Sequence, residues 1–361
     1  MSKIAIWGAG ATGKKIYRKI KNENDVVCFV DNNWVVCGSN YLGIEIIAPN
    51  VCYEMIRNKD IDKIVFGTSA NNYDDILSQI KKNIEGYEDI YYVKEIGNNN
   101  SLIQYTDRDL GYIEFDAARK CNLNCRGCLR YSNITQDSSG YDLVTLERDL
   151  NRLKTIFNNI AYIKILGGEP LLCKDLYKFV ERIFSYFPDT QVDILSNGLL
   201  VPQMDRVLIE EIRKHAARLS ISIYKATEKY TEEIEKFCNG EEIELNVYVN
   251  KDKFLKQLNS KGDSDGETIV KNCMSKKCTI IKDGIINRCC QPVYTYELNK
   301  RFGTEFPEDI GISIYEDGIT YKEIKEYITS NTAFCQYCTT PEEYMWSNGT
   351  SDISLSDWVV K

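Results

Sequence analysis

The 361-residue sequence predicts an α/β chain in three parts: an N-terminal parallel sheet, a partial β/α barrel, and a small cysteine-rich domain containing a β-hairpin. Three observations carry this. Short apolar runs alternate with amphipathic helical stretches from residue 3 to about residue 93, and again from Gly111 to about residue 255, as in parallel strands joined by helices. A glycine loop stands between the first strand and the first helix. Beyond residue 255 the alternation stops, and cysteines gather around an Asp-Gly turn. The expected divisions are 1–97, a linker at 98–110, 111–255 and 256–361.

In the first part KIAIW is an apolar strand, Ala11 to Lys21 is helical, and VVCFV is a second strand ending at Asp31. KIVFG is a further buried strand, YDDILSQIKKNI an amphipathic helix and IYYV a last strand. The segment Gly8-Ala9-Gly10-Ala11-Thr12-Gly13 fits G-x-G-x-x-G in its required setting, after a strand and opening a helix. Asp31 follows Gly13 by 18 residues, where the acidic ribose ligand of a Rossmann-like domain belongs. Gly8, Gly10, Gly13 and Asp31 are therefore candidate ligands of a nucleotide or NAD, with a phosphate at the helix N-terminus. The alternative is that the glycines only permit tight strand–helix packing and that the domain serves docking or dimerisation. The polar, Asn-rich GNNNSLIQYTDRD is read as the linker.

In the second part YIEFD is a strand leading into CNLNCRGC, and LERDLNRLKTIF is a helix with one apolar face. AYIKIL, VDILSNG, LSISIY and ELNVYV are strands, and DLYKFVERIFSYF, RVLIEEIRKHA and TEEIEKFC are the intervening helices. Functional residues of such a barrel belong at the C-terminal ends of its strands. In the third part KGDSDGET is a loop and TIIKDGIINR a hairpin turning at Asp283-Gly284.

The net charge of −8 argues against nucleic-acid or anionic-membrane binding, which want a basic face. No membrane span and no signal peptide are expected, which places the chain in the cytoplasm. Fourteen cysteines in that reducing compartment read as metal ligands in part, not as a disulfide framework. The single histidine, His215, ends a helix and leaves little room for Cys/His zinc sites or Ser-His-Asp chemistry. Cys121, Cys125 and Cys128 are spaced C-x3-C-x2-C, so one tight loop can bind three irons of a [4Fe–4S] cluster and leave the fourth open. A zinc knuckle is the alternative.

This loop, followed in order by Gly167-Gly168-Glu169-Pro170 and Ser196-Asn197-Gly198, resembles the radical S-adenosylmethionine (SAM) superfamily over residues 111–255. The resemblance implies that SAM chelates the open iron. One electron then breaks a carbon–sulfur bond of SAM, and the resulting 5′-deoxyadenosyl radical abstracts a substrate hydrogen. It further implies that Gly167, Gly168 and Glu169 meet the SAM amino group and that Ser196, Asn197 and Ser222 lie near its ribose, with Ser220 beside them. An external one-electron reductant, such as flavodoxin or ferredoxin, is implied as a partner. Gly127 departs from the aromatic residue many members carry before the third cysteine.

Cys273, Cys289, Cys335 and Cys338 resemble the ligand set of the twitch/SPASM-like auxiliary domains of that superfamily, which implies a second [4Fe–4S] cluster. Cys278 is an alternative ligand, because a two-residue turn at Asp283-Gly284 places it opposite Cys289. Cys290 points to the other face, and a structural zinc remains the alternative metal. The cysteine spacing also resembles that of radical SAM enzymes that oxidise an aminocyclitol alcohol. WGAGATGKKIY…VCFVDNN resembles N-terminal domains of bacterial sugar-nucleotide acyltransferases and polysaccharide-biosynthesis proteins.

The resulting expectation is a radical SAM oxidoreductase acting on a carbohydrate, cyclitol or sugar nucleotide by alcohol dehydrogenation or epimerisation. Cys173 and Cys238 are conceivable hydrogen donors, with a buried structural role as the alternative. A peptide maturase and a non-catalytic nucleotide sensor with structural clusters are the other two readings. Tyr224, Lys225 and Arg130 stand near strand ends or the cysteine loop, with no catalytic role assigned. Trp346 and Trp358 are expected to pack.

Overall fold

The computed structural model describes residues 1–96, 99–136, 140–249, 253–273, 275, 277–308, 310–349 and 352–360. The chain forms two compact units, Met1–Gly111 with Asn159–Ala161, and Tyr112–Asn158 with Tyr162–Lys361.

The first unit is built on β1 (Lys3–Trp7), β2 (Asp25–Val30), β3 (Asn40–Tyr41), β4 (Ile44–Ile47), β5 (Lys63–Phe66), β6 (Ile90–Ile96) and β7 (Asn99–Gln104), in the order β3-β4-β2-β1-β5-β6-β7. β1 is central and parallel to both β2 and β5. Ile4, Ala5 and Ile6 of β1 and Ile64, Val65 and Phe66 of β5 are fully buried, which explains their uninterrupted apolar sequence. Helices α1 (Ala11–Ile20), α2 (Pro49–Arg57) and α3 (Tyr73–Asn83) connect the strands. The largely parallel sheet expected of the first part is thus present, with β3, β4 and α2 in addition.

The linker expected at 98–110 is corrected. β7 pairs antiparallel with β6 from Tyr91↔Gln104 to Ile96↔Asn99 and closes the sheet edge. Leu102 packs against the core around Ile4, Ile6 and Val65. Asn99 and Asn100 of the Asn-rich run belong to β7 itself, and residues 97 and 98 lie outside the described residues.

The second unit begins with β8 (Leu110–Ala118), α4 (Leu143–Ile156), β9 (Ile160–Gly167), α5 (Leu176–Tyr186), β10 (Gln191–Ser196), α6 (Arg206–His215), β11 (Arg218–Ile223), α7 (Thr231–Gly240) and β12 (Leu245–Val249). β9 to β12 run parallel in sequence order, the partial β/α barrel expected. The remainder comprises β13 (Lys253–Leu258), α8 (Gly266–Asn272), β14 (Ile280–Lys282), β15 (Ile285–Asn287), α9 (Gln291–Tyr294), α10 (Tyr296–Phe302), β16 (Ile312–Ser313), α11 (Tyr321–Thr329) and β17 (Cys338–Met345).

The hairpin turns at Asp283 (φ 50°) and Gly284 (φ 78°), both left-handed as an Asp-Gly hairpin turn requires. It is not a separate layer. β14 lies parallel to β8 through Ile280↔Glu114, so the barrel sheet runs β12-β11-β10-β9-β8-β14-β15-β16. The loop expected at KGDSDGET gives way to α8 from Gly266, because the Asp265 carboxylate caps it by accepting from Glu267 N at 3.1 Å. Among the described residues no helix is long and apolar enough to cross a membrane.

Candidate functional site

Four successive parallel strands of the barrel deliver the predicted motifs at their C-terminal ends, where such a sheet presents its function. The cysteine loop follows β8, Gly167-Gly168-Glu169 ends β9, Ser196-Asn197-Gly198 ends β10 and Tyr224 follows β11. Hydrogen bonds tie the first three together. The fully buried Glu169 carboxylate accepts from Ser196 Oγ (2.8 Å), Asn197 N (2.8 Å) and Leu171 N (3.1 Å). Burial pushes its pKa up to about 7, against the opposing pull of these donors. Asn197 Nδ2 donates to Asn122 Oδ1 at 2.7 Å and to Cys121 Sγ at 3.7 Å. Gly167 and Gly168 are fixed by space, since a Cβ would lie 2.1 Å from Ala118 O and 2.2 Å from Lys120 O respectively. Ser222 is buried near the end of β11.

The cysteine loop is wound by left-handed residues at Asn124 (φ 53°), Gly127 (φ 62°) and Tyr131 (φ 55°). Burial raises the thiols of Cys121 to about 11 and of Cys125 to about 12, and each also feels Cys128 as a like-charged neighbour. Leu123 N donates to Cys121 Sγ at 3.5 Å and Trp346 Nε1 to Cys125 Sγ at 3.2 Å. N–H groups aimed at sulfur favour the thiolate form that iron binds. Among the described residues no three His, Cys, Asp or Glu side chains form a single-ion site. A cubane makes a different demand, because its thiolates bind different irons. Sulfur donors and a half-enclosed loop therefore fit a [4Fe–4S] cluster at Cys121, Cys125 and Cys128.

The C-terminal segment covers this loop. Tyr344 Oη donates to Arg126 O (2.8 Å), Arg126 N to Ser347 O (2.9 Å), Asn348 Nδ2 to Leu123 O (3.0 Å) and Trp358 Nε1 to Cys128 O (2.9 Å). A Cβ on Gly127 would meet Tyr344 Oη at 1.9 Å. Gly127, noted above as a departure from the family pattern, thus leaves room for Tyr344 of β17. Trp358 packs as expected. Trp346 also reaches a thiol, which sequence reasoning missed.

The period-2 pattern of the barrel strands carries a further signal. Ile163 and Ile165 are fully buried on one face, while the alternate residues Tyr162 and Lys164 form a polar row with Asp193 of β10. Tyr162 Oη donates to Asp193 Oδ2 at 2.9 Å, and Lys164 Nζ lies 3.7 Å from the same oxygen. Asp193 Oδ1 is buried without a partner. Asn246 Nδ2 donates to Ser220 Oγ at 3.4 Å. Arg130 is committed elsewhere, paired to Asp116 at 2.9 Å and to Glu114. Lys225 is exposed, and Tyr224 stacks on Trp346 at 6.2 Å. Cys238 is fully buried in α7, Cys173 half-buried. His215 ends α6, stacked on Phe184 at 4.4 Å.

Among the C-terminal cysteines, Cys289 is raised by burial and then by Cys290, Cys338 and Cys273 as neighbours. Burial raises Cys338, with Cys273 and Cys335 beside it. Cys273 and Cys338 line one cleft, and the α8 residue Gly266 approaches Cys335. Cys278 neighbours Cys290, which also neighbours Cys289 and Cys338. The hairpin register predicted from the turn holds, but the ladder ends at Ile280↔Asn287, and Cys278 is raised by burial, then by Glu114 and Cys290.

In the first unit Gly8 and Gly13 are required by packing, since a Cβ would lie 2.5 Å from Gly67 O and 1.8 Å from Gly8 O. Gly10 faces open space. The Asp31 carboxylate accepts from Ala9 N at 2.9 Å and Asn33 N at 2.9 Å, so it braces the glycine loop itself.

Residues 117–255 match the family model described as the radical SAM superfamily, and residues 1–91 the one described as C2185-like, N-terminal. The chain is 32% identical over 126 residues to GTP 3′,8-cyclase of Sulfurimonas denitrificans, covering 34% of this chain and 37% of that protein. It is 33% identical over 122 residues to GTP 3′,8-cyclase of Campylobacter jejuni subsp. doylei, covering 34% and 37%. The chain thus spans little more than a third of the length of these curated relatives. The structure of BtrN in complex with AdoMet and 2-DOIA is similar at TM-score 0.36 and 17% identity, over 64% of this chain and 93% of that one. UDP-D-quinovosamine 4-dehydrogenase from Vibrio fischeri scores 0.25 at 18% identity, over 29% and 93%. Scores this low leave the fold to rest on the strand order given above. Radical SAM proteins hold a [4Fe–4S] cluster and SAM, and the loop, the GGE segment and the Ser-Asn-Gly segment found joined here lie in the matched stretch. Residues 117–255 of this chain are a radical SAM domain.

Proposed function

We propose that this chain is a radical SAM oxidoreductase acting on a small, hydroxyl-rich substrate: a carbohydrate, cyclitol or sugar nucleotide. The observation that carries the cofactor side is Asn197, whose side chain reaches Cys121 and Asn122 while its backbone is held by Glu169. One residue thereby fixes the cluster loop, the GGE segment and the Ser-Asn-Gly segment in one arrangement. When bound, the cluster at Cys121, Cys125 and Cys128 supplies the electron that cleaves SAM for hydrogen removal, and a second cluster supplies an acceptor for the electron the substrate gives up.

The chain's own residues do the positioning. Glu169 orients the strand ends, with Gly167, Gly168, Ser196, Asn197 and Ser222 around SAM. The row Tyr162–Asp193–Lys164 supports a polar substrate, because a buried charged row facing an apolar ligand would leave its polar atoms unpaired. Cys273, Cys289, Cys335 and Cys338 are the proposed ligands of the second cluster, and their mutual proximity favours Cys273 over Cys278. The same ligand set supports dehydrogenation over epimerisation. At the N-terminal domain the open face at Gly10 supports a nucleotide or NAD ligand, with Asp31 holding the loop that meets it.

The experiment is turnover of reduced, reconstituted protein with SAM and a panel of cyclitols, sugar nucleotides and GTP, reading 5′-deoxyadenosine and product. Ketone formation from a secondary alcohol is expected. Cyclised product from GTP alone would reject the oxidoreductase reading in favour of the reaction named for the relatives. In Lys164→Met, product formation should fall at least about tenfold while SAM cleavage without substrate changes less than about twofold. Equal loss of both would remove the polar row from substrate binding.

A further inference from the structure

We propose that Trp346 is a positioning residue that raises the reduction potential of the iron–sulfur cluster at Cys121, Cys125 and Cys128, through its indole N–H on Cys125 Sγ. The proposal rests on the radical SAM reading of those three cysteines. The donor lies 3.2 Å from the sulfur and comes from outside the radical SAM domain, just beyond the end of β17.

Its direction is over-determined. The indole stacks on Tyr224 at 6.2 Å with 30° between the ring planes, and Tyr224 meets Phe254 at 5.7 Å. Phe254 in turn faces Tyr344, paired with it across β13 and β17. On the far side, Ser347 O accepts from Arg126 N, and Asn348 bridges to Cys125 in an isolated β-bridge. The ring is therefore held by Tyr344 before it, by Ser347 and Asn348 after it, and by Tyr224 on one face, which leaves its N–H little freedom to turn away.

Reduction adds negative charge to the cluster and its sulfurs. A donor fixed on one sulfur stabilises the reduced form more than the oxidised form, so the potential rises. Trp358 provides an internal contrast. It also aims an indole N–H at this loop, but onto the backbone carbonyl of Cys128. The two tryptophans make the same kind of bond, and only one of them touches a sulfur.

The test is an anaerobic redox titration of the full-length, reconstituted protein, following the EPR signal that SAM perturbs. Trp346→Phe keeps the ring and removes the donor. Its reduced-to-oxidised ratio at a fixed poise should fall about tenfold, a shift of about 60 mV to more negative potential for one electron, with iron content unchanged. Tyr344→Phe removes a donor to the loop backbone and should leave the potential in place. An unshifted potential in Trp346→Phe, an equal shift in Tyr344→Phe, or loss of iron from Trp346→Phe would each overturn the proposal. A wild-type protein that takes up no cluster at the three cysteines would overturn the radical SAM reading beneath it, and this outcome is separate from the other three.

Discussion

Gly127 and Glu169 show how much of the site depends on single atoms. Gly127 holds φ at +62° with Tyr344 Oη where a side chain would begin. Gly127→Ala should destabilise the apo-protein by about 1–3 kcal/mol and lower the iron retained, measured by urea unfolding and iron assay. A wild-type unfolding curve would mean that the C-terminal segment yields without cost. Glu169 gives a pH signature. Its folded pKa of about 7 stands above the ordinary carboxyl value of 4.5, through burial first. The folded state therefore keeps a proton that the unfolded chain releases. The associated stability is fully present below about pH 4.5 and lost as pH rises through 7, on the order of 3 kcal/mol. The stability difference between wild type and Glu169→Gln, taken at pH 5 and pH 8, should change by that amount. A constant difference would mean that the donors on Glu169 hold it ionised throughout.

Among the elements, α4 and β17 show what the sequence reveals and what it hides. The body of α4 was legible from its apolar face, but its start was not: the helix expected from Leu146 begins at Leu143, because the Asp142 carboxylate accepts from Val144 N and Thr145 N at 3.0 Å each. Asp142→Ala should cost about 1 kcal/mol, read as a fall of about 2–4 °C in Tm for a unit this size. An unchanged Tm would show the helix start to be held by packing alone. β17 was not legible. Its residues pair with β13, distant in sequence, and the nearby aromatic residues read as packing because their partner, the cysteine loop, lies more than 200 positions away. β7 was hidden for a different reason, since its Asn-rich start dominates the composition while the apolar residue that docks it, Leu102, stands alone on the core side. Tyr162, Lys164 and Asp193 were available in the alternation of their strands, and only register shows that they meet.

At the scale of the molecule, the barrel strands and the order of their motifs were legible because each motif is local and ends a strand. The C-terminal cysteines were only partly so. Turn geometry correctly set Lys282 opposite Ile285, but extending that ladder to Cys278 and Cys289 fails, since the strands separate after Ile280↔Asn287. Contacts from α8 and β17, invisible to local spacing, bring Cys273 and Cys335, with Cys290, near Cys338. The proposed function gives the two cysteine groups separate clusters, one in the radical SAM domain and one in the C-terminal segment. The most direct test is iron and sulfide per chain after anaerobic reconstitution, for wild type and for the Cys121/Cys125/Cys128→Ala variant. Two independent clusters give about eight irons, falling to about four in the variant. About four falling to none would contradict the proposed function, leaving the C-terminal cysteines without a cluster and the proposed oxidation without its electron acceptor.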